Sequence, residues 1–456
     1  MKITKKEISL PHIFAIMFGL IAMATILTWV LPAGNYDRFQ DPKINREIIV
    51  SGSYHLINKG GVGIWEVGKS IFEGFVASSD LIIFLLIASG YINILTLTGS
   101  ISELIHYLLD TIKNTYIIIP VFFLIFAIAG STIGIYEEVF ILIPIFMITF
   151  EKIGFGKLTG AAVIIIGSKV GMIASTLNPF TVGIASTIAG TELGSLNVVI
   201  FRLISFVLLS MVSICYLLFY AIKIRPCVGI ERREEEFRTS HSEKHNFCFP
   251  QIISLLWLLI VFVAIAIGVI RFDFAMPEIA TLFLFSMILT GCFNRININT
   301  LSESFIDSSK SMVKTMIIIS LSKTIQIIME KGNIIDTVVY FLSNSITQMS
   351  KELAAITMLI IQVLLSFFIP SASGHAMVSM PIMAALSDSI GISRDVAVLC
   401  YQYGNGLGTL FWPTGCALVC SVMGIKLEEW YKYIYKLVIV LALLELFLVF
   451  ISLFFL

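Results

Sequence analysis

Apolar runs of about 20 residues recur from Pro11 to the C-terminal residue, with polar positions between them or isolated inside them. Roughly 20 apolar residues in an α-helix cross a hydrocarbon core of about 30 Å, so the pattern predicts an all-α polytopic membrane protein. A first crossing is read at 11–32, followed by a polar, turn-rich loop from Asn35 to Gly60 and an amphipathic arm at 63–78. Next come a crossing at 80–98, a re-entrant hairpin at 116–150 turning at Gly130 to Gly134, a broken crossing at 158–190 interrupted at Ser175 to Thr181, and a helix at 197–222. Beyond the polar interval Lys223 to Asn246 lie two helices, at 250–271 and 275–294, and a second arm at 299–311. A crossing at 312–331, a hairpin at 353–388 turning at Pro370 to Gly374, a broken crossing at 394–424 interrupted at Asn405 to Thr414, and a last helix at 430–456 complete the chain.

Three matches in the same order suggest a duplication. Ser131 to Gly134 recurs as Ser371 to Gly374 at an offset of 240, Gly156 with Ala162 recurs as Gly391 with Ala397 at 235, and the segment from Phe72 recurs from Phe305 at 233. The chain then divides into a first helix and external loop (1–62), repeat one (63–222), a cytoplasmic loop (223–249), linking helices (250–298) and repeat two (299–456). One crossing precedes the first arm and two separate the central loop from the second, so the repeats start from opposite faces, the inverted arrangement of many secondary transporters. With the N-terminus bearing Lys2, Lys5 and Lys6 inside, about 18 Lys and Arg are cytoplasmic and about 9 external, as the positive-inside rule requires. The C-terminus is then external.

The chain is 57% hydrophobic and 13% charged, with zero net charge. The charge balance suggests no nucleic-acid partner, and the composition leaves no room for a soluble catalytic domain; the solvent is membrane lipid. The first apolar segment is too long for a signal peptide and is read as retained. The seven cysteines (Cys215, Cys227, Cys248, Cys292, Cys400, Cys416, Cys420) show no metal-ligand spacing and read as buried, inert thiols; no metal site is expected.

The chemistry concentrates at the breaks. Interrupted helices at membrane depth leave backbone groups that protein, water or ligand must satisfy. In "ASTLNPFTVG", Ser175, Thr176, Asn178 and Thr181 surround Pro179, which ends one half-helix and starts another whose N–H groups and partial positive charge suit a carboxylate. "NGLGTLFWPTG" offers Asn405, Thr409, Pro413 and Thr414 in the same role; a proline kink satisfied by a neighbouring helix is the plain alternative for both. The hairpin turns offer Ser131, Thr132, Gly134, Tyr136, Glu137 and Glu138, and Ser371, Ser373, Gly374 and His375. Intramembrane carboxylates are costly and mark ion or substrate paths. Neighbours on a helix diverge by about 100°, so one of Glu137 and Glu138 is expected to face the site and the other to pair with a cation such as Lys169. Lys323 and Gln326 read as an interhelical contact, and Arg202 and Glu445 as interfacial or snorkelling.

Four segments carry a family resemblance: "LTWVLPAG" at 27–34, "STIGIYEE" at 131–138, "STLNPFTVGIAS" at 175–186 and "PSASGHAMVSMPIMAALSD" at 370–388. In these the chain resembles the YfcC/DcuC-like carriers of the ion transporter superfamily. The resemblance implies an elevator-type transporter of the bacterial cytoplasmic membrane, with hairpins and broken helices forming a mobile transport domain on a scaffold that dimerises. It covers both C4-dicarboxylate carriers and arginine/ornithine-type antiporters. Ala372, His375 and the "YGNGLGTLFWPTG" segment depart from the usual pattern and bear on substrate and coupling ion.

Two carrier readings follow, neither of them enzymatic and neither needing a cofactor. In the favoured one a basic amino acid is exchanged for a related amine, with Glu137 or Glu138 meeting the cation and the half-helix N-termini the carboxylate. In the other the substrate is a C4-dicarboxylate coupled to Na⁺ or H⁺. A remote third, an intramembrane serine hydrolase using Ser373 and His375, suffers because adjacent residues rarely reach triad geometry and the tip at Ser131 has no histidine.

Overall fold

A computed structural model describes residues 11–41, 46–101, 103, 115–192, 195–224, 248–272, 274–346 and 349–456. The basic central loop with Arg225, Arg232, Arg233, Arg238 and Lys244 lies outside the described residues, as do Lys2, Lys5, Lys6 and Cys227. In chain order the helices are α1 (Ile13–Val30), α2 (Ile64–Ala77), α3 (Ser79–Leu97), α4 (Ile118–Thr132), α5 (Ile143–Ile153), α6 (Lys157–Ile173), α7 (Ile184–Ala189), α8 (Leu196–Ile224) and α9 (Phe249–Phe272). They continue as α10 (Met276–Phe293), α11 (Ile298–Lys331), α12 (Ile335–Asn344), α13 (Lys351–Phe368), α14 (Ala372–Ile390), α15 (Arg394–Phe411), α16 (Pro413–Met423) and α17 (Leu427–Phe455). Among the described residues nine helices are long and apolar enough to cross a membrane, and α15 with α16 forms a further candidate span bent by 49°. The protein is a multi-pass membrane protein.

Several expectations are corrected. The loop from Asn35 to Gly60 contains two antiparallel ladders, β1 (Gly34–Asn35) with β4 (His55–Leu56) and β2 (Arg38–Asp41) with β3 (Arg46–Ile49). Ile48 and Ile49 of β3 are buried, which gives this polar loop its own apolar anchor. The second arm and the crossing after it are one helix, α11, because no Gly or Pro interrupts 299–331. The helix α12 lacks a counterpart in the sequence reading. In α15 the helix runs unbroken through Asn405 and Thr409 to Phe411, so the interruption is confined to Trp412, where Pro413 starts α16 at its first position. Cys215 on α8, Cys292 on α10 and Cys248 just before α9 are exposed rather than buried; Cys400, Cys416 and Cys420 are buried. Arg202 and Glu445 do not snorkel: both are buried, because α8 and α17 turn those faces toward protein.

The chain forms two compact units. The first comprises Met1–Ala77, Thr181–Phe201 and Ile317–Leu456, the second Ser78–Phe180 and Arg202–Met316. In the second unit α4 and α6 approach at backbone distance. A Cβ on Gly130 would strike the Ser168 carbonyl and one on Gly171 the Ala127 carbonyl, so glycine is the residue that permits the crossing. Asn93 of α3 donates to both the carbonyl and the hydroxyl of Ser304 at 2.9 Å, joining α3 to α11 within this unit.

In the first unit α13 lies on α15 in the same manner, with Gly404 facing Gln362 and Gly408 facing Ser366. Arg394, at the start of α15, donates to Asp388 at 2.9 Å and to the Ala189 carbonyl at 2.7 Å, so it closes the C-terminal end of α7 onto the end of α14. On α2, Gly74 fits against Ser320 and Thr324 of α11, and Lys331 reaches Glu73 at 2.7 Å and Glu66 at 3.3 Å. Hydrogen bonds from Lys69 and Lys331 hold the Glu66 carboxyl below its usual range. Lys323 donates to Gln326 at 3.0 Å along one helix, where an interhelical contact was expected.

A clasp ties the ladders to α12. Arg38 donates to both oxygens of the buried Asp336 carboxylate, at 2.9 and 2.8 Å, and the Tyr36 N–H donates to the same group at 3.0 Å. Tyr54 stacks on Tyr340 at 4.0 Å. Burial, with Asp336 alongside, pushes the Tyr36 phenol well up. Arg38→Ala is expected to lower stability by about 2 kcal/mol, less than the roughly 3–5 kcal/mol of a fully buried pair because Arg38 is 35% exposed. The thermal midpoint in detergent checks this, and an unchanged midpoint would show that the Tyr36 N–H alone satisfies Asp336.

Candidate functional site

Each unit carries one hairpin tip beside one helix break. In the second unit the tip after α4 turns through Gly134, whose φ of +82° is accessible to glycine without strain. The break after α6 folds onto it. The Ser131 carbonyl accepts the Leu177 N–H and its hydroxyl the Thr176 N–H, both at 3.4 Å. Asn178 is engaged at both ends, donating to the Gly130 carbonyl at 2.9 Å and accepting the Phe180 N–H at 2.8 Å. Its carbonyl thereby caps the turn that begins at Pro179, so one of the backbone donors expected to be bare is occupied by the protein. Thr132 bonds back to the Ile128 carbonyl at 2.7 Å. Ser175 is buried with other partners of its own, and Thr181 belongs to the first unit.

The two acidic residues of this tip differ. Glu138 opens a 3₁₀ turn (Glu138–Leu142), is 8% exposed, and accepts the Tyr136 N–H at 3.1 Å. Glu137 is half-buried. Lys169 does not form a hydrogen-bonded ion pair with either of them. Its ammonium sits 3.7 Å from the centroid of the Tyr136 ring, a cation–π contact, within electrostatic reach of Glu137.

In the first unit Ser371 caps α14, its hydroxyl accepting the Gly374 N–H at 3.4 Å and lying 3.4 Å from the Ser373 hydroxyl. His375 follows in the first turn of α14. Its Nδ1 is 3.0 Å from Asn405 Nδ2, and its ring meets the edge of Tyr401 at 5.4 Å. The Tyr401 hydroxyl donates to the Ala372 carbonyl at 2.7 Å. Ser373 therefore points to Ser371 rather than to His375, which removes the geometric basis of a serine nucleophile. Thr409 bonds back to the Asn405 carbonyl at 2.8 Å, and Thr414 donates to the Phe367 carbonyl at 3.3 Å.

Ser131, Thr176, Asn178, Gly134, Glu137 and Glu138 are thus gathered in one unit, and Ser371, Ser373, Gly374, His375 and Asn405 in the other. Thr409, Pro413 and Thr414 serve the bend instead. The sequence reading missed Tyr401, which fixes the second tip, and Trp412, whose indole N–H donates to the Val363 carbonyl at 2.7 Å across the bend. It also missed Gln362, whose signal was available: it is the one polar residue in the interior run Ala354–Leu365 apart from Thr357.

Comparison with known proteins gives three groups of relatives. The family model described as "DcuC: C4-dicarboxylate anaerobic carrier" matches residues 10–454. An uncharacterized protein of Haemophilus influenzae is 27% identical, with 95% of each chain covered. The putative basic amino acid antiporter YfcC of Escherichia coli is 26% identical, with 93% of this chain and 92% of YfcC covered. Two solved structures align as well: the YdaH transporter of Alcanivorax borkumensis (TM-score 0.42, 15% identity, 97% and 98% covered) and MtrF of Neisseria gonorrhoeae (TM-score 0.45, 17% identity, 98% and 96% covered). With the family match running over nearly its whole length, the chain belongs to the DcuC family and is a membrane transporter of the DcuC/YfcC type.

Proposed function

We propose that the protein is a secondary transporter that exchanges basic amino acids, of the arginine and ornithine type, across the bacterial cytoplasmic membrane. The observation that carries the reading is the charge at the tip of the second unit: two carboxylates, Glu137 and Glu138, stand against one cation, Lys169, which already rests on Tyr136. An excess of buried negative charge in a low-dielectric setting favours a substrate that brings a cation. The name of the Escherichia coli relative points the same way. The hairpins and breaks, each held to its neighbour by glycine-to-backbone crossings, fit two inverted repeats working as an elevator in a homodimer, with the N-terminus cytoplasmic and the C-terminus external. Exchange needs no coupling ion.

Radiolabelled uptake into proteoliposomes tests this. Arginine uptake is expected only when ornithine or arginine is loaded inside, and to be insensitive to a Na⁺ gradient. Succinate uptake driven by Na⁺ or H⁺, with no arginine uptake, would replace this reading with dicarboxylate transport.

A further inference from the structure

Inside the first unit several polar groups are completely buried with no hydrogen-bond partner among the described residues, the Trp430 indole N–H and the Glu445 carboxylate of α17 included, and three of them lie on the hairpin helices α13 and α14. These three are both amide atoms of Gln362 on α13, the Ser379 hydroxyl on α14 and Nε2 of His375, and all three residues are 0% exposed. A buried polar atom left without a partner is costly, and native interiors hold few.

Both hairpin helices pack on α15. Asn405 holds His375 at 3.0 Å. Its neighbour Gly404 has no room for a Cβ because the Gln362 Cβ and the Val363 N stand there. Ser379 lies one helical turn beyond His375 on the same face of α14. The hydrogen bond also fixes the ring. An amide nitrogen can only donate, so Nδ1 accepts and the imidazole proton sits on Nε2. The group presented is an N–H. Gln362 adds two N–H donors and Ser379 one O–H. The basic residues of these three helices besides His375, Lys351 and Arg394, are at helix ends, and Arg394 is held by Asp388.

We infer that Gln362, Ser379 and His375 form a buried carboxylate-binding subsite built from uncharged donors. A carboxylate is acceptor-only and takes several donors at once, which suits the N–H and O–H groups of this cluster, while the Gln362 Oε1, an acceptor, suits the ammonium of an amino-acid substrate. The inference rests on the transporter reading above for the rest of the substrate, but the carboxylate is common to basic amino acids and dicarboxylates.

The test measures binding to the purified full-length protein in detergent, by calorimetry and thermal stabilisation, with arginine, argininamide and succinate as probes. Gln362→Leu is expected to weaken arginine about tenfold, the factor for one hydrogen bond to a charged group, and to weaken argininamide, which has only the ammonium contact to lose, by distinctly less. Ser379→Ala should behave alike, more weakly. The ligand-free Gln362→Leu protein is expected to melt higher than the native one, since leucine removes an unsatisfied amide. If succinate binds and arginine does not, the same loss on succinate keeps the subsite and sinks the amino-acid reading. Affinities unchanged in both variants, equal losses for arginine and argininamide, or a lower ligand-free midpoint for Gln362→Leu would each overturn the subsite. ¹⁵N-histidine spectra, assigned with His375→Gln, give a readout that needs no ligand: Nε2 is expected to be the protonated nitrogen, and a proton on Nδ1 overturns the inference.

Discussion

Arginine exchange by the Glu137→Gln protein is expected to fall by about a hundredfold or more, whereas Glu138→Gln, which removes the charge excess but keeps its loop contact, is expected to lose only about tenfold. The two residues are neighbours with opposite duties. Glu138 serves its own loop, accepting the Tyr136 N–H at 3.1 Å from a buried position, and a glutamine there retains an acceptor oxygen. Glu137 has no such backbone contact among the described hydrogen bonds and is half-buried, with Lys169 within reach of its charge. In the empty protein Lys169 offsets Glu137, and an arriving cation competes for the same carboxylate. Removing that carboxylate does two things. It deletes the partner of the incoming cation, a loss of about 2–5 kcal/mol for a desolvated pair, and it leaves Lys169 as an uncompensated positive charge beside the path. Initial exchange rates in proteoliposomes, with KM and kcat separated, check this. Native rates in Glu137→Gln would remove charge recognition from the tip, and an inactive Glu138→Gln beside an active Glu137→Gln would move the role by one residue.

Most of the helical layout was legible because membrane burial makes hydropathy nearly sufficient. The first helix, read at 11–32, runs Ile13–Val30, and the hairpin read at 353–388 is α13 followed by α14. The errors arise where one residue type carries two meanings. Gly406 and Gly408 fall in the stretch read as an interruption, yet they lie inside α15, since at Gly408, as at Gly404 one turn before it, glycine permits close approach to Ser366 and Gln362 rather than a turn. Which meaning holds is decided by a helix 42 residues earlier in the chain at each of these two contacts. Asn178 shows the same ambiguity at the site. Its amide reads as a ligand-binding group, but the fold gives its two ends to Gly130 and Phe180. Gln362 is the reverse case, a lone amide in an apolar run that hydropathy passes over and that packing leaves without a partner among the described residues.

Gly171→Val and Gly130→Val are expected to be the most damaging substitutions in the second unit, each costing about 3 kcal/mol or more. A Cβ on Gly171 would overlap the Ala127 carbonyl and lie 2.9 Å from the Ser131 N, and a Cβ on Gly130 would overlap the Ser168 carbonyl. The obstacles are backbone atoms, which cannot swing aside as a side chain can, so α4 and α6 must separate along their whole crossing. Overpacking alone costs about 1–3 kcal/mol. Here it also displaces the groups that hold the tip: the Gly130 carbonyl that accepts from Asn178, and Ser131, which receives Thr176 and Leu177. Gly68 of α2 has open space around it, so Gly68→Ala is the control and is expected to be neutral or slightly stabilising, by up to about 1 kcal/mol. Thermal midpoints in detergent rank the three, and a native midpoint for Gly171→Val would show that the crossing is looser than backbone contact. Because one helix crossing supports both the packing and the tip, the milder Gly171→Ala is expected to lose substrate-induced stabilisation at temperatures where its helices remain folded.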